Sequence, residues 1–229
     1  MTRIEQLRAQ ERQLTKLIRK WHKEGEFRLV LIYGTGGIGK TSYAMQCVKQ
    51  VDPDNYRQRF IFPPRQFVDT VSWLKANKLR IPALVWDDMG FWMYTLDYND
   101  PFVKSAVKFF NVARTVVSCI IGTTTSMKML TSSVRNMDAL TVKVVAARDN
   151  PYTSLAKGYR TSLQPNLMRL VKTVFEDEYP RYMEEDDYRW YKPVRDSYVN
   201  EAIRLMQESL TKRKTIGDSD TSSQDHQLS

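Results

Sequence analysis

The run Gly34-Thr35-Gly36-Gly37-Ile38-Gly39-Lys40-Thr41, followed by Ser42, places glycines, a lysine and hydroxyl side chains at the spacing GxxxxGK[ST]. Glycines there let the backbone turn tightly and point successive N–H groups inward, which suits oxygens of a polyphosphate. The helix that follows would add its positive N-terminal end. Lys40 is expected to reach the β- and γ-phosphates, and the Thr41 hydroxyl to ligate magnesium.

Two carboxylates fit the same chemistry. Ala83-Leu84-Val85-Trp86-Asp87-Asp88 is an apolar run ending in acids, about 45 residues downstream. Asp87 is placed to hold the water shell of the metal, and Asp88 to orient or deprotonate an attacking water. Thr123, Thr124 and Thr125 close another apolar run. Thr124 is the residue assigned to the γ-phosphate or the attacking water. Turn hydrogen bonds are the competing role for each threonine.

Such groups need strands and helices to position them. Phe27–Tyr33 reads as a buried strand running into the glycine loop, and Thr41–Val51 as the helix after it. Further strands are expected at Arg59–Phe62, Ile81–Trp86, Val116–Gly122 and Leu140–Val145. Helices are expected from Pro63-Pro64 through Leu79, from Pro101 through Val112, and over 127–136. Strands alternating with helices at these lengths predict a three-layer α/β fold with a mostly parallel central sheet. Apolar residues at Ile4, Leu7, Leu14, Leu17, Ile18 and Trp21 predict one amphipathic helix over 2–23. Beyond residue 150, Ser154–Ser162 and Leu167–Phe175 read as a β-hairpin, followed by an acidic stretch and a last helix to Leu210. The resulting division is 1–24 N-terminal helix, 25–175 core, 176–210 C-terminal helical extension and 211–229 disordered tail.

The chain has 229 residues, 42% of them hydrophobic and 27% charged, enough for one well-buried core. Two cysteines, Cys47 and Cys119, and two histidines, His22 and His226, give no zinc spacing. Both thiols are expected to be reduced. Arg3, Glu5, Arg8, Glu11 and Arg12 leave no room for a secretory apolar segment, and no run is long enough to span a bilayer. A soluble cytoplasmic protein, in a host cytoplasm if encoded by a virus or plasmid, is the expectation.

Gly34–Thr41, Ala83–Asp88 and the Ile121–Thr125 strand end together resemble P-loop ATPases with an extra strand between the phosphate loop and the Walker B segment. That strand is here the Arg114–Thr125 segment. The chain looks most like compact AAA+ proteins of the DnaA-like and DnaC-like type, and is similar to small ATPases of archaeal viruses and plasmids. The resemblance covers residues 25–175, and its specific motifs are the phosphate loop and Walker B. It implies ATP and Mg2+ as cofactors, and a nucleotide at the carboxyl edge of the sheet. It also implies a homo-oligomer in which a neighbour supplies an arginine, with Arg135 and then Arg148 as candidates. Asp88 stands where many of these ATPases carry Glu, which implies slow hydrolysis. No C-terminal lid with a sensor arginine is evident.

The net charge of +9 favours a polyanionic partner. Residues 128–172 hold eight Lys/Arg against two acids. Lys157, Arg160, Arg169 and Lys172 on the hairpin are the residues assigned to DNA, with Tyr152 and Tyr159 interleaved. A solvated surface with contacts between subunits is the competing account. The function expected is an ATPase acting on DNA in replication initiation, helicase loading, partition or packaging, with a helicase or replication protein as a possible partner. The alternative is a nucleotide-controlled signalling switch, which Gly36–Thr41 and the double Asp also resemble. A small-molecule kinase is disfavoured because no acceptor motif or arginine-rich lid follows.

Overall fold

The computed structural model describes residues 2–163 and 169–221. They form two compact units, Met1–Tyr182 and Met183–Ser229.

The first unit is built on a seven-stranded sheet. Its centre is β1 (Arg28–Tyr33), whose four inner residues are all buried. In chain order the other strands are β2 (Phe60–Ile61), β3 (Leu84–Trp86), β4 (Cys119–Thr124), β5 (Ala139–Ala146), β6 (Thr153–Leu163) and β7 (Arg169–Pro180). Their spatial order is β2-β3-β4-β1-β5-β6-β7. The first five are mutually parallel, and β6 and β7 continue the sheet as an antiparallel hairpin. Strand β4 therefore lies between β1 and β3, where the extra strand was expected. Strands covered on both faces read as unbroken apolar runs, which is why β1 and β4 were legible in sequence.

One apolar cluster joins Leu29, Leu31, Leu84, Trp86 and Ile120 of the sheet to α4 (Pro64–Ala76) and α6 (Pro101–Phe110). The Phe67 ring stacks on Trp86 at 4.6 Å, and Phe102 meets Trp86 edge-on at 5.9 Å. The indole N–H of Trp86 donates to the Phe62 carbonyl, so this large core residue leaves no polar atom unpaired.

The N-terminal segment is two helices rather than one: α1 (Arg3–Ala9) and α2 (Gln13–Glu24). Arg12 between them is extended and buried, and its guanidinium donates to the carbonyls of Leu7 and Glu178. The Asp177 carboxylate accepts from the Gln13 N–H at 2.9 and 3.0 Å, serving as an N-cap from a distant strand. It also accepts from the Tyr43 hydroxyl of α3 (Lys40–Val51) at 2.6 Å. The break is thus dictated by an acid far along the chain. The acidic stretch after Phe175 is correspondingly strand, not extension. Asp177 is buried beneath α2 and Glu176 pairs with Lys157 across the hairpin, so the boundary expected at 175 falls inside β7.

Two other helices are shorter than expected. Helix α4 ends at Ala76, and Lys78 follows it with a positive φ of 55°. Of residues 127–136 only α7 (Ser132–Arg135) is α-helical. Leu130 is pulled out by a bridge to Tyr94, and the Thr131 N–H donates to the Met93 carbonyl. A four-residue helix, α5 (Met89–Trp92), follows β3 directly.

The second unit is the helix α8 (Glu185–Thr221), which includes Pro193. It continues beyond the expected end at Leu210, so residues 211–221 of the expected tail are helical. Polar composition argues against burial, not against helix, and Arg204 pairs with both Glu201 and Glu208 at helical spacing. Residues 222–229 lie outside the described residues.

Burial, and then the neighbouring Arg80 guanidinium, hold the His22 imidazole below its usual pKa. Its Nδ1 lies 2.8 Å from the Ser118 hydroxyl. In the window below pH 6.5 the unfolded chain then binds more protons than the native one, so stability is lost as pH falls. Chemical denaturation at about pH 7.5 and about pH 5.5 should show a smaller pH-dependent loss for His22→Asn than for the parent. Equal losses would show that His22 does not set the pH dependence.

Candidate functional site

The glycine loop leaves the carboxyl end of β1 and runs into α3. Gly37 and Gly39 have φ of 73° and 93°, in the region that favours glycine. Gly34 is needed for space, since a Cβ there would lie 2.6 Å from the Val144 carbonyl oxygen. Thr35, Gly36 and Gly37 are exposed and Ile38 is half-buried, so the loop opens to solvent above a buried base.

Lys40 is largely buried, and its ammonium donates to the carbonyls of Gly34 at 2.9 Å and Thr35 at 3.0 Å. The loop's own oxygens thereby hold the charge over the ring that the backbone makes. Phosphate oxygens are the same kind of acceptor and carry charge, so they can take over these bonds.

Asp87 directly follows β3 and is almost fully buried. One of its oxygens, Oδ1, accepts from the Thr41 hydroxyl at 2.9 Å and from the Thr123 hydroxyl at 2.7 Å. The Thr123 oxygen in turn accepts from the Asp88 N–H at 2.8 Å. Residues from the ends of β3 and β4 and the start of α3 thus converge on one carboxylate.

This donor set fits a hydrated magnesium ion. Thr41 offers a neutral oxygen and Asp87 a carboxylate acceptor beside it, the hard-oxygen chemistry such an ion takes. Among the described residues no group of three or more His, Cys, Asp or Glu could cage a metal. A divalent ion here would draw its remaining ligands from water and phosphate. When bound, it would neutralise charge developing between the β- and γ-phosphates.

Asp88 is half-buried next to Asp87, with φ 48° and ψ 37°. This left-handed conformation turns the chain sharply into α5, and aspartate is among the few residues that adopt it readily. Thr124 is buried, and its hydroxyl donates to the Ser126 carbonyl at 3.0 Å. Thr123, rather than Thr124, is the threonine joined to the acidic pair. Gly90 packs so closely on Thr124 that any side chain there would collide with its hydroxyl. Ser42 is buried and donates to the Pro180 carbonyl at 3.3 Å, away from the loop's open side.

The remaining residues singled out in the sequence lie elsewhere. Arg135 is exposed at the end of α7, which leads into the amino end of β5 and so to the edge of the sheet opposite the loop. Arg148 is exposed just after β5, at the same edge as the loop. Strand β5 pairs with β6 only from Ser154 to Tyr159, so residues 160–163 and 169–172 continue toward the amino edge paired with each other. Arg160 and Lys172 are exposed there, and Arg169 opens β7 opposite Leu163. Lys157 lies within the sheet and pairs with Glu176 at 2.9 Å. The carboxylate of Asp138 is 3.8 Å from Arg160.

Cys47 and Cys119 are free and buried, and burial pushes the Cys47 thiol up to about 12. Neither is a nucleophile at neutral pH.

No protein-family model matches the chain. It is 24% identical over 213 residues to the uncharacterized protein B-251 of Sulfolobus spindle-shape virus 1, covering 86% of this chain and 84% of the relative. Among solved structures it is similar to the N-terminal domain of zonular occludens toxin from Neisseria meningitidis, at TM-score 0.42 and 14% identity over 72% of this chain and 98% of that one. It is also similar to the genome packaging NTPase B204 of Sulfolobus turreted icosahedral virus 2, solved in complex with AMPPCP. That match has TM-score 0.34 and 12% identity over 66% of this chain and 99% of the other. These are distant likenesses. The chain's own strand order, with the glycine loop between β1 and α3, is that of a P-loop NTPase fold.

Replacing Lys40 by Ala should weaken ATP binding by about 100-fold or more, since two charge-assisted hydrogen bonds of about 1.5–3 kcal/mol each are lost. Isothermal titration measures this, with melting temperature as the folding control. A folded Lys40→Ala protein that binds like the parent would remove Lys40 from the site.

Proposed function

We propose that the chain binds ATP with magnesium at Gly34–Ser42, hydrolyses it, and uses the cycle to act on DNA. The observation that carries the nucleotide reading is the meeting of the Thr41 and Thr123 hydroxyls on the buried carboxylate of Asp87, directly beside the phosphate loop. A phosphate loop alone is a binding device. A phosphate loop with a fixed acid at the end of a nearby strand is arranged for hydrolysis.

In this reading the loop amides and Lys40 hold the β- and γ-phosphates. Asp87 fixes the position of Thr41, and Asp88, on its sharp turn, receives a proton from the attacking water. A neighbouring subunit completes the charge balance with an arginine. Arg148 shares the sheet edge with the loop and Arg135 lies at the other edge, so a homo-oligomer stacked edge to edge would offer Arg135 in trans.

The DNA-directed part rests on charge. The 160–172 segment carries Arg160, Arg169 and Lys172 and no acid. It continues the hairpin toward the edge opposite the loop, where a polyanion can approach without meeting the nucleotide. Replication initiation, helicase loading, partition and packaging all need ATP turnover linked to DNA contact. A helicase or another replication protein would be a natural partner. Among the described residues no helix is long and apolar enough to cross a membrane.

ATP turnover should rise on adding single- or double-stranded DNA. Neutralising Arg160, Arg169 and Lys172 together should lower the slope of log affinity against log salt by about 2–3, roughly one for each cation removed from the phosphates. An unchanged slope, or turnover indifferent to DNA, would leave a nucleotide-controlled switch as the better reading.

A further inference from the structure

The loop is held from behind by the inner end of the β6–β7 hairpin, through residues that no motif marks. The Ser154 hydroxyl donates to the Ile38 carbonyl at 2.8 Å. The Tyr179 hydroxyl donates to the Gly39 carbonyl at 3.0 Å. The Arg181 guanidinium donates through Nε to the Ser154 oxygen at 3.1 Å and through a terminal nitrogen to the Thr153 carbonyl at 3.3 Å. Ser154 and Tyr179 are fully buried. The backbone of Arg181 comes so close to Gly39 that a Cβ on Gly39 would lie 2.8 Å from its carbonyl oxygen.

The directions of these bonds are forced. A carbonyl can only accept and a guanidinium can only donate, so Ser154 is the donor in its bond to Ile38 and the acceptor in its bond from Arg181. Burial raises the Tyr179 pKa, which keeps its hydroxyl protonated and able to donate. The cation behind Ser154 polarises that hydroxyl and strengthens its bond to the loop.

Peptide planarity turns this brace into a device. The described chain has no cis peptide, and in a trans peptide the N–H points opposite to the C=O of the same unit. Fixing the Ile38 carbonyl toward the hairpin therefore turns the Gly39 N–H away from it. Fixing the Gly39 carbonyl, which also accepts the Tyr43 N–H at 2.9 Å, does the same for the Lys40 N–H. Those two amides belong to the residues where the loop becomes helix, the end with positive partial charge.

We propose that Ser154 and Tyr179, with Arg181 behind Ser154, are positioning residues that aim the Gly39 and Lys40 amides at the bound phosphates. The hairpin that carries the basic residues at one end thus sets phosphate affinity at the other. The proposal rests on the nucleotide reading of the loop. It adds that a strand pair more than a hundred residues downstream tunes that loop.

The test uses Ser154→Ala and Tyr179→Phe, each of which removes one oxygen and little volume, and the pair Arg181→Ala and Arg181→Lys. Affinities for ATP and for inorganic tripolyphosphate are titrated, KM and kcat are measured, and melting is followed without nucleotide. Ser154→Ala and Tyr179→Phe should each weaken both ligands about two- to tenfold, the loss of one hydrogen bond. KM should rise by the same factor, while kcat and the nucleotide-free melting temperature change little. Arg181→Lys should recover part of what Arg181→Ala loses. Unchanged affinities would overturn the proposal. So would a fall in melting temperature and active fraction with affinity intact, which marks a purely structural brace. Failure of the nucleotide reading looks different: the parent and Lys40→Ala would both fail to bind ATP, and the proposal would fall with it.

Discussion

One carboxylate oxygen organises this molecule. Asp87 Oδ1 sits where three chain segments end, and it accepts from hydroxyls on two of them, Thr41 and Thr123. A buried carboxylate is costly unless it is hydrogen-bonded, so the pairing constrains β3, β4 and the start of α3 to meet there. The flat aromatic stack of Phe67 on Trp86, one residue before Asp87, anchors the strand that delivers the acid. The helix packing beneath the sheet serves to hold this meeting point at the open edge.

A second buried polar group plays a comparable part on the opposite flank. Asp177 accepts from Gln13 and Tyr43, and so ties β7 to α2 and α3. Arg12 lies in the same region, with its pKa lowered by burial and its Nε without a partner. Buried polar and charged groups are costly unless hydrogen-bonded, so these bonds constrain β7, α2 and the start of α3 to meet on this flank. The N-terminal helices are thereby part of the core that supports the loop helix, not an appended arm.

The candidate site was legible in sequence because the chemistry it would need is local. A glycine loop, a lysine and a hydroxyl must be adjacent to wrap one anion, and an apolar strand ending in acid has a recognisable form. The parallel strands were legible for a similar reason, since burial on both faces leaves unbroken apolar runs such as Leu29–Ile32. What could not be read were pairings across long separations. Asp177 belongs in sequence to an acidic stretch, and only its place under α2 makes it a cap that breaks the first helix. Ser154, Tyr179 and Arg181 are ordinary residues in a hairpin whose register brings them behind a loop far upstream. Among three consecutive threonines, sequence offered no means of choosing Thr123 over Thr124, because strand alternation and the Ser126 turn decide it.

A structure of the protein with a non-hydrolysable ATP analogue and magnesium would decide whether this meeting point is a nucleotide site. The β- and γ-phosphates should lie inside the turn formed by Gly34–Lys40, with the ammonium of Lys40 moved from the Gly34 and Thr35 carbonyls onto phosphate oxygens. The metal should sit on Thr41 with its waters against Asp87. A nucleotide seated elsewhere, with the turn unchanged and Thr41 still bonded to Asp87, would contradict that assignment.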